Sequence, residues 1–333
     1  MLVTGPNGAG KTNLLESLHV GTQGFSPRTR ADVQLVRFGR AAARIALRGD
    51  RAGTPVELEV TLELGSGKRA TVNGARLRAA ELLRSEVATL VFTPDRLVVV
   101  KGGPAARRAY FDRVLGRLSS ARTGLPAEYG AAVGQRNAAL RRVAQDLSPR
   151  EALVPWNEQV ITLGTALVEA RAEVVSLLQP RFRERAEELG LADGELAYAA
   201  EPPAAEELEA RIDRDLERGA TGLGPHLDDV GVLAGGRDLR AFGSQGEQRL
   251  AVLALLLGEA ELLAERRGVP PLLLLDDVLS ELDPTRRRIL ADRLRVSGQA
   301  LVTSASRDAL PGEPAQTIEV TQGRDGVSRA EAA

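Results

Sequence analysis

The chain has 333 residues, 43% hydrophobic and 27% charged, the proportions of a globular protein with one large or two intimate domains and a sizeable core. Its formal net charge of −1 gives no whole-molecule pull toward nucleic acid, so any basic surface must be a local patch offset by acid elsewhere. The absence of cysteine excludes disulfides, thiolate zinc sites and thiol catalysis, and with no signal peptide and no apolar run of roughly 18 residues a cytoplasmic location is expected.

Strand signals open the chain. MLVT is followed by apolar–polar alternation at residues 43–49, 56–64 and 69–74, and the GSGK turn before the last of these predicts a β-hairpin over 55–74. TLVFTPDRLVVV at 89–100 predicts another strand and its connection. After GGP at 102–104 the text turns helical as far as about residue 222, and Pro104 suits a first helical position. A helix from about 152 to 179, closed by Pro180, places Trp156, Val160, Leu163, Leu167, Ala170, Val174 and Leu177 at alternating spacings of four and three. About three heptads suit one helix of a small bundle better than a projecting arm. A further helix is expected in AAEELEARIDRDLERG, residues 204–219. Strand signals resume at DVGVLAG (229–235), ahead of SQGEQRLAVLALLLGEAELLAERRG, a helix apolar nearly all round and hence buried. PLLLLDD (271–277) predicts a central parallel strand covered on both faces. A helix at 284–295, strands at 300–305 and 317–320, and a charged tail expected to fray from Gly323 complete the chain. Two halves of an α/β domain thus flank a helical insertion. Residues 1–103 with 268–333 are expected to form lobe I, and 104–267 a mainly helical lobe II.

Residues 5–12, GPNGAGKT, fit the phosphate-loop pattern G-x-x-x-x-G-K-[ST]. Gly5, Gly8 and Gly10 let the backbone N–H groups of this loop, with Pro6, Asn7 and Ala9 between them, approach phosphate oxygens. Lys11 supplies charge, the Thr12 hydroxyl can ligate Mg²⁺, and the helix that follows presents its positive end. Lysine occurs only at 11, 68 and 101, so arginine has replaced it nearly everywhere an extended cation serves. Position 11 is where a compact ammonium on a flexible stem is needed; Lys68 and Lys101 are read as surface residues. Two adjacent acids at a strand end are costly unless they serve a cation. Asp276 is therefore expected to hold Mg²⁺, and Asp277 to orient and deprotonate the attacking water. Ser244 and Gly246, in FGSQGEQR, stand at the head of the buried helix and offer a second set of groups for phosphate. One chain cannot easily aim two helix N-termini at one γ-phosphate from opposite sides, but two chains can. Together with SELD at 280–283 this is the pattern of ATPases that close head to head on ATP as homodimers. His226 in GPHLDD is either a satisfied structural histidine or a contact to the nucleotide or the lobe hinge. Arg107, Arg108, Arg136, Arg141 and Arg142 form either a phosphate grip or a solvated basic face. With aromatics at 3%, duplex DNA or a single/double-strand junction suits the chain better than base stacking on single strands.

Several stretches in order resemble the RecF family of recombination mediators, whose ATPase heads are similar to those of the SMC and ABC families. They are GPNGAGKTNLLESL, FSPRTRADVQLVRFG, FTPDRL, GGPAARRAYFD, QRNAAL, GPHLDD, GSQGEQR and LLLLDDVLSELD. The resemblance implies an α/β P-loop ATPase head of ABC/SMC type with a large helical lobe inserted between P-loop and signature. It also implies ATP-dependent dimerisation, DNA binding near gaps in replication and repair, and cooperation with RecR and RecO in loading RecA. Three departures stand out: Asp277 is one methylene shorter than the glutamate of ABC heads, which suits slow hydrolysis; Thr303 or Ser304 stands near the place of their switch histidine; and FTPDRL stands in for a glutamine loop. An ATPase subunit of an ABC transporter is the alternative, but it would place P-loop and signature much closer than the more than 230 residues found here. Heads of this resemblance carry two antiparallel strands ahead of the P-loop, whereas only MLVT precedes Gly5. An unpaired sheet edge and an open apolar face are therefore expected, with Met1 an internal GTG valine codon and the natural start upstream.

Overall fold

A computed structural model describes residues 1–29, 31–51, 53–323 and 326–333. Two compact units emerge, residues 1–96 with 263–333 and residues 97–262, where the sequence suggests joints at 103/104 and 267/268. The first unit opens with β1 (Leu2–Thr4), α1 (Lys11–Gln23), β2 (Ala42–Arg51), β3 (Thr54–Glu63), β4 (Gly67–Val72), β5 (Ala75–Arg76) and β6 (Thr89–Phe92). The second holds α2 (Val98–Lys101), α3 (Pro104–Leu118), α4 (Leu125–Ala144), α5 (Val154–Glu188), β7 (Glu195–Ala197), α6 (Ala205–Ala210), α7 (Ile212–Arg218), β8 (Gly231–Ala234), β9 (Arg237–Asp238), α8 (Leu239–Phe242) and most of α9 (Gln245–Arg267). The chain returns to the first with β10 (Leu272–Leu275), α10 (Pro284–Val296), β11 (Ala300–Ser304), β12 (Thr317–Gln322) and β13 (Ser328–Ala332).

The main sheet of the first unit runs β13-β12-β1-β11-β10-β6, with β1, β6, β10, β11 and β12 parallel and β13 antiparallel. Val3 lies opposite Thr303, and Leu275 lies opposite both Val302 and Phe92. That register brings the carboxyl ends of β1, β10 and β11 to one edge, where open α/β sheets bind ligands. Leu273, Leu274 and Leu275 are fully buried, as a continuous apolar strand requires. β1 itself does not lie at an edge: it is paired on both sides, to β11 and β12. A hollow of about 350 Å³ nearby is lined by Met1, Leu14, Leu18, Leu47, Leu58 and Leu301. The tail does not fray either, since β13 forms a ladder with β12 from Ile318↔Ala332 to Gln322↔Ser328. Backbone pairing holds a strand whose side chains are all exposed, and composition carries no sign of it.

The expected hairpin is part of the antiparallel sheet β2-β3-β4-β5, whose inward Leu58, Val60 and Leu62 pack with Val20 and Leu83. Lys68 is not a plain surface residue. Its ammonium sits between Asp32 (3.3 Å) and Glu81 (3.0 Å) with its side chain 14% exposed, a point charge bridging two carboxylates.

In the second unit α5 runs through Pro180 to Glu188 instead of stopping before it. Proline inside a helix costs about 3 kcal/mol, but Phe182, Ala186 and Leu189 beyond it are buried, and Arg181 donates to Leu177 O at 2.7 Å. Packing outweighs the proline. α5 lies against α3 and α4 as a bundle helix. The helix expected over 204–219 breaks at Arg211 into α6 and α7. Among the described residues no helix is long and apolar enough to cross a membrane.

Candidate nucleotide site

The P-loop joins β1 to α1 through three glycines with positive φ, Gly5 (151°), Gly8 (83°) and Gly10 (108°). A Cβ on Gly5 would lie 2.2 Å from Val320 O, and one on Gly10 would lie 2.5 Å from Ser328 Oγ, so the β12–β13 hairpin also demands glycine at both. Gly10 caps α1 without a side-chain hydrogen bond, and no acid stands in the first turn. The first-turn amides thus have no internal anion and remain available to an external one. Lys11 Nζ folds back on its own loop, donating to Gly5 O (2.7 Å) and Pro6 O (3.0 Å).

Across 264 residues of sequence, Thr12 Oγ1 donates to Asp276 Oδ1 at 3.1 Å. Thr303 Oγ1 donates to the same oxygen at 2.7 Å and accepts the Asp277 N–H at 2.9 Å. Asp276 is buried, and its own N–H donates to Phe92 O at 2.9 Å. Asp277 is exposed, in the left-handed region at φ 50°, ψ 28°, and opens the turn Val278–Glu281. A hydroxyl and a carboxylate at the foot of an anion-ready helix are hard oxygen donors that fit Mg²⁺, which takes one or two protein ligands and completes its shell with water and phosphate. The described residues contain no cluster of three or more His, Cys, Asp and Glu able to cage a metal. One neighbour went unnoticed in the sequence. Arg28 lies on the exposed side of α1, 3.2 Å from Glu16 and 3.5 Å from Asn13; only its place in FSPRTR could have flagged it.

Ser244 and Gly246 belong to the second unit, exposed at the head of α9. Ser244 N–H donates to Glu247 Oε2 at 2.8 Å and Glu247 N–H to Ser244 Oγ at 3.2 Å, a reciprocal capping box. The bonds from Ser244 hold the Glu247 carboxyl below its ordinary range.

The arginine set divides sharply. Arg107 is buried, with Nε 2.6 Å from Asp229 Oδ1 and Nη1 2.9 Å from Gly102 O. Arg136, 0% exposed, reaches Asn157 (2.7 Å), Asp215 (2.7 Å) and Thr221 (2.9 Å). Neither is free to form a phosphate grip: Arg107 is itself buried and pairs with the exposed Asp229, and Arg136 pairs with the buried Asp215. Arg108 is half-buried and bonded to Asp228 O. Arg141 and Arg142 are exposed, donating to Gly219 O (3.3 Å) and Ser148 Oγ (3.2 Å) respectively. His226 is a brace: its Nε2–H donates to Thr221 O at 3.0 Å, which leaves Nδ1 to accept from Tyr129 Oη at 2.8 Å. Burial keeps its pKa below the ordinary value, so the neutral ring persists at physiological pH.

A family model described as RecF/RecN/SMC N terminal domain matches residues 1–329. The DNA replication and repair protein RecF of Symbiobacterium thermophilum is 39% identical over 325 residues, which cover 92% of this chain and 85% of that protein. The protein of the same name from Anaeromyxobacter sp. (strain K) is 38% identical over 335 residues, 94% of this chain and 88% of its own. The chain belongs to the RecF family. Among solved structures, the recombination mediator protein RecF-ATP in the RecFOR pathway is similar to it with a TM-score of 0.85 at 26% identity, over 99% of this chain and 91% of that one. The Smc head domain of Pyrococcus furiosus, at 17% identity and a TM-score of 0.60 over 100% and 89% of the two chains, shares the fold alone. The fold is thus the P-loop ATPase head of RecF and SMC type, α/β with a large helical portion, that the sequence leads one to expect. The RecF-like stretches GGPAARRAYFD, QRNAAL and GPHLDD turn out to supply structural partners: Arg107 ties α3 to Asp229, Arg136 ties α4 to Asp215 of α7, and Pro225 O accepts from Arg171 of α5.

Proposed function

We propose that this chain is a RecF-type recombination mediator in DNA repair: a cytoplasmic ATP- and DNA-binding protein that closes into a homodimer on ATP and opens on slow hydrolysis. The observation that carries this is the Thr12–Asp276 contact at the foot of an α1 whose N-terminal amides are uncapped, at the carboxyl edge of a parallel sheet. Relatives named for DNA replication and repair over 92% of the chain support it over a transporter subunit. In this mechanism the P-loop amides cradle the phosphates, and Lys11 swings from Gly5 O and Pro6 O onto them. Thr12 and Asp276 hold Mg²⁺, which when bound supplies neutralising charge to the phosphate oxygens. Asp277, exposed beside them, orients the attacking water and takes its proton. Ser244 and Gly246 of a second copy complete the phosphate shell, and Glu247 must release the Ser244 amide for this to happen. By family likeness the dimer works at gapped DNA with RecR and RecO in loading RecA.

Asp277→Asn tests the mechanism. ATP should stay bound and the dimer persist in sedimentation, while hydrolysis falls by about 10²–10⁴; unchanged turnover would remove Asp277 from the role of base. Replacing Arg141 and Arg142 together by Ala should weaken duplex and junction binding and flatten its salt slope by about one to two charges, with ATP affinity intact. Equal binding at two salt concentrations would clear both residues.

A further inference from the structure

We propose that Thr303 is a positioning residue that couples the metal ligand to the catalytic carboxylate, an inference that rests on the Mg²⁺-nucleotide site proposed above. Thr303 lies in β11, next to the P-loop strand, and is 0% exposed, so its hydroxyl is closed to solvent. A hydroxyl has one proton to give and lone pairs to receive. Here the proton goes to Asp276 Oδ1 at 2.7 Å, and a lone pair takes the Asp277 N–H at 2.9 Å. One oxygen atom therefore fixes the carboxylate that would hold the metal and the backbone of the residue that would activate water.

Two further observations make that link consequential. Asp277 is in the left-handed region, sparsely populated for a residue with a Cβ, and its N–H bond to Thr303 is one of the contacts that hold it there. Moreover, Thr12 and Thr303 donate to the same oxygen. When the Thr12 hydroxyl turns its lone pairs to a cation it can no longer serve Asp276 in the same way, and Thr303 becomes the group that keeps the carboxylate aimed. Outer partners of metal ligands commonly change metal affinity or activity by about 10–100-fold.

Thr303→Val keeps the shape and removes the hydroxyl; Thr303→Ser keeps the hydroxyl and removes a methyl. For Thr303→Val, the Mg²⁺ concentration that half-maximally tightens binding of a fluorescent ATP analogue should rise about tenfold, with affinity in EDTA unchanged. Thr303→Ser should stay within about twofold of the parent in the same titration. If Val matches the parent, or Ser shifts as far as Val, the proposal is overturned. If Val does not fold, the Ser result decides alone, since a packing role predicts a shift there and a hydroxyl role predicts none. Lys11→Ala separates the two levels: if it binds nucleotide as the parent does, the site itself is misassigned, whereas its loss of binding beside an unaltered Thr303→Val isolates the failure to Thr303.

Discussion

The Ser244→Arg protein is expected to bind ATP as the parent does and yet to sediment as a monomer in its presence. Ser244 is exposed at the head of α9 and its described hydrogen bonds run to Glu247 and Gln248, so its replacement removes no bond of Lys11, Thr12 or Asp276. The substitution removes a hydroxyl and fills the space that a second copy's phosphate needs. Loss of the capping box costs about 1 kcal/mol, too little to unfold the chain. Lys11→Ala should fail one step earlier. Removing the ammonium from a phosphate contact costs about 3 kcal/mol, on the order of a hundredfold in ATP affinity, and dimerisation should disappear with it. Sedimentation velocity beside ATP titration reads both. A normal ATP-driven dimer from Ser244→Arg would leave the second phosphate site without support.

Arg136→Ala is expected to be the most damaging change in the helical unit. The guanidinium is 0% exposed and pairs with Asp215, itself 2% exposed, so truncation strands a buried carboxylate with little more than the Gly222 N–H at 3.1 Å. Breaking a buried pair in this way costs about 3–5 kcal/mol, a fall that urea unfolding at neutral pH should show. Arg141→Ala, five residues on and exposed, should stay within about 0.5 kcal/mol. A loss for Arg136→Ala no larger than that would mean that the pair does not hold the unit together and would return Arg136 to the candidates for binding phosphate.

These contrasts mark what the sequence makes legible. The P-loop and the acids after LLLL are local patterns, in which residue type and spacing already fix a strand, a turn and a helix end. The burial of residues 250–260 in α9 follows in the same way from an apolar text. Arg107 and Arg136 are different. Their partners Asp229 and Asp215 lie 122 and 79 residues away, and nothing in an arginine's neighbours announces that it will be buried. Pro180 misleads because the penalty is local while the compensation, Phe182 and Ala186 in the bundle core, is tertiary. β13 is invisible for a related reason: a ladder with β12 depends on backbone groups that every residue carries.

The position of β1 between β11 and β12 bears on how the chain is made. Its two neighbours span Ala300–Ser304 and Thr317–Gln322, so the centre of the main sheet waits until those residues have been translated. At about 5–20 residues per second the first strand leaves the ribosome and stays unpaired for roughly 15–60 s. Residues 97–262, by contrast, form a contiguous unit whose partners have all emerged well before then. Folding order therefore runs opposite to reading order: the helical insertion can fold on the ribosome, and the nucleotide loop ahead of it takes its shape later.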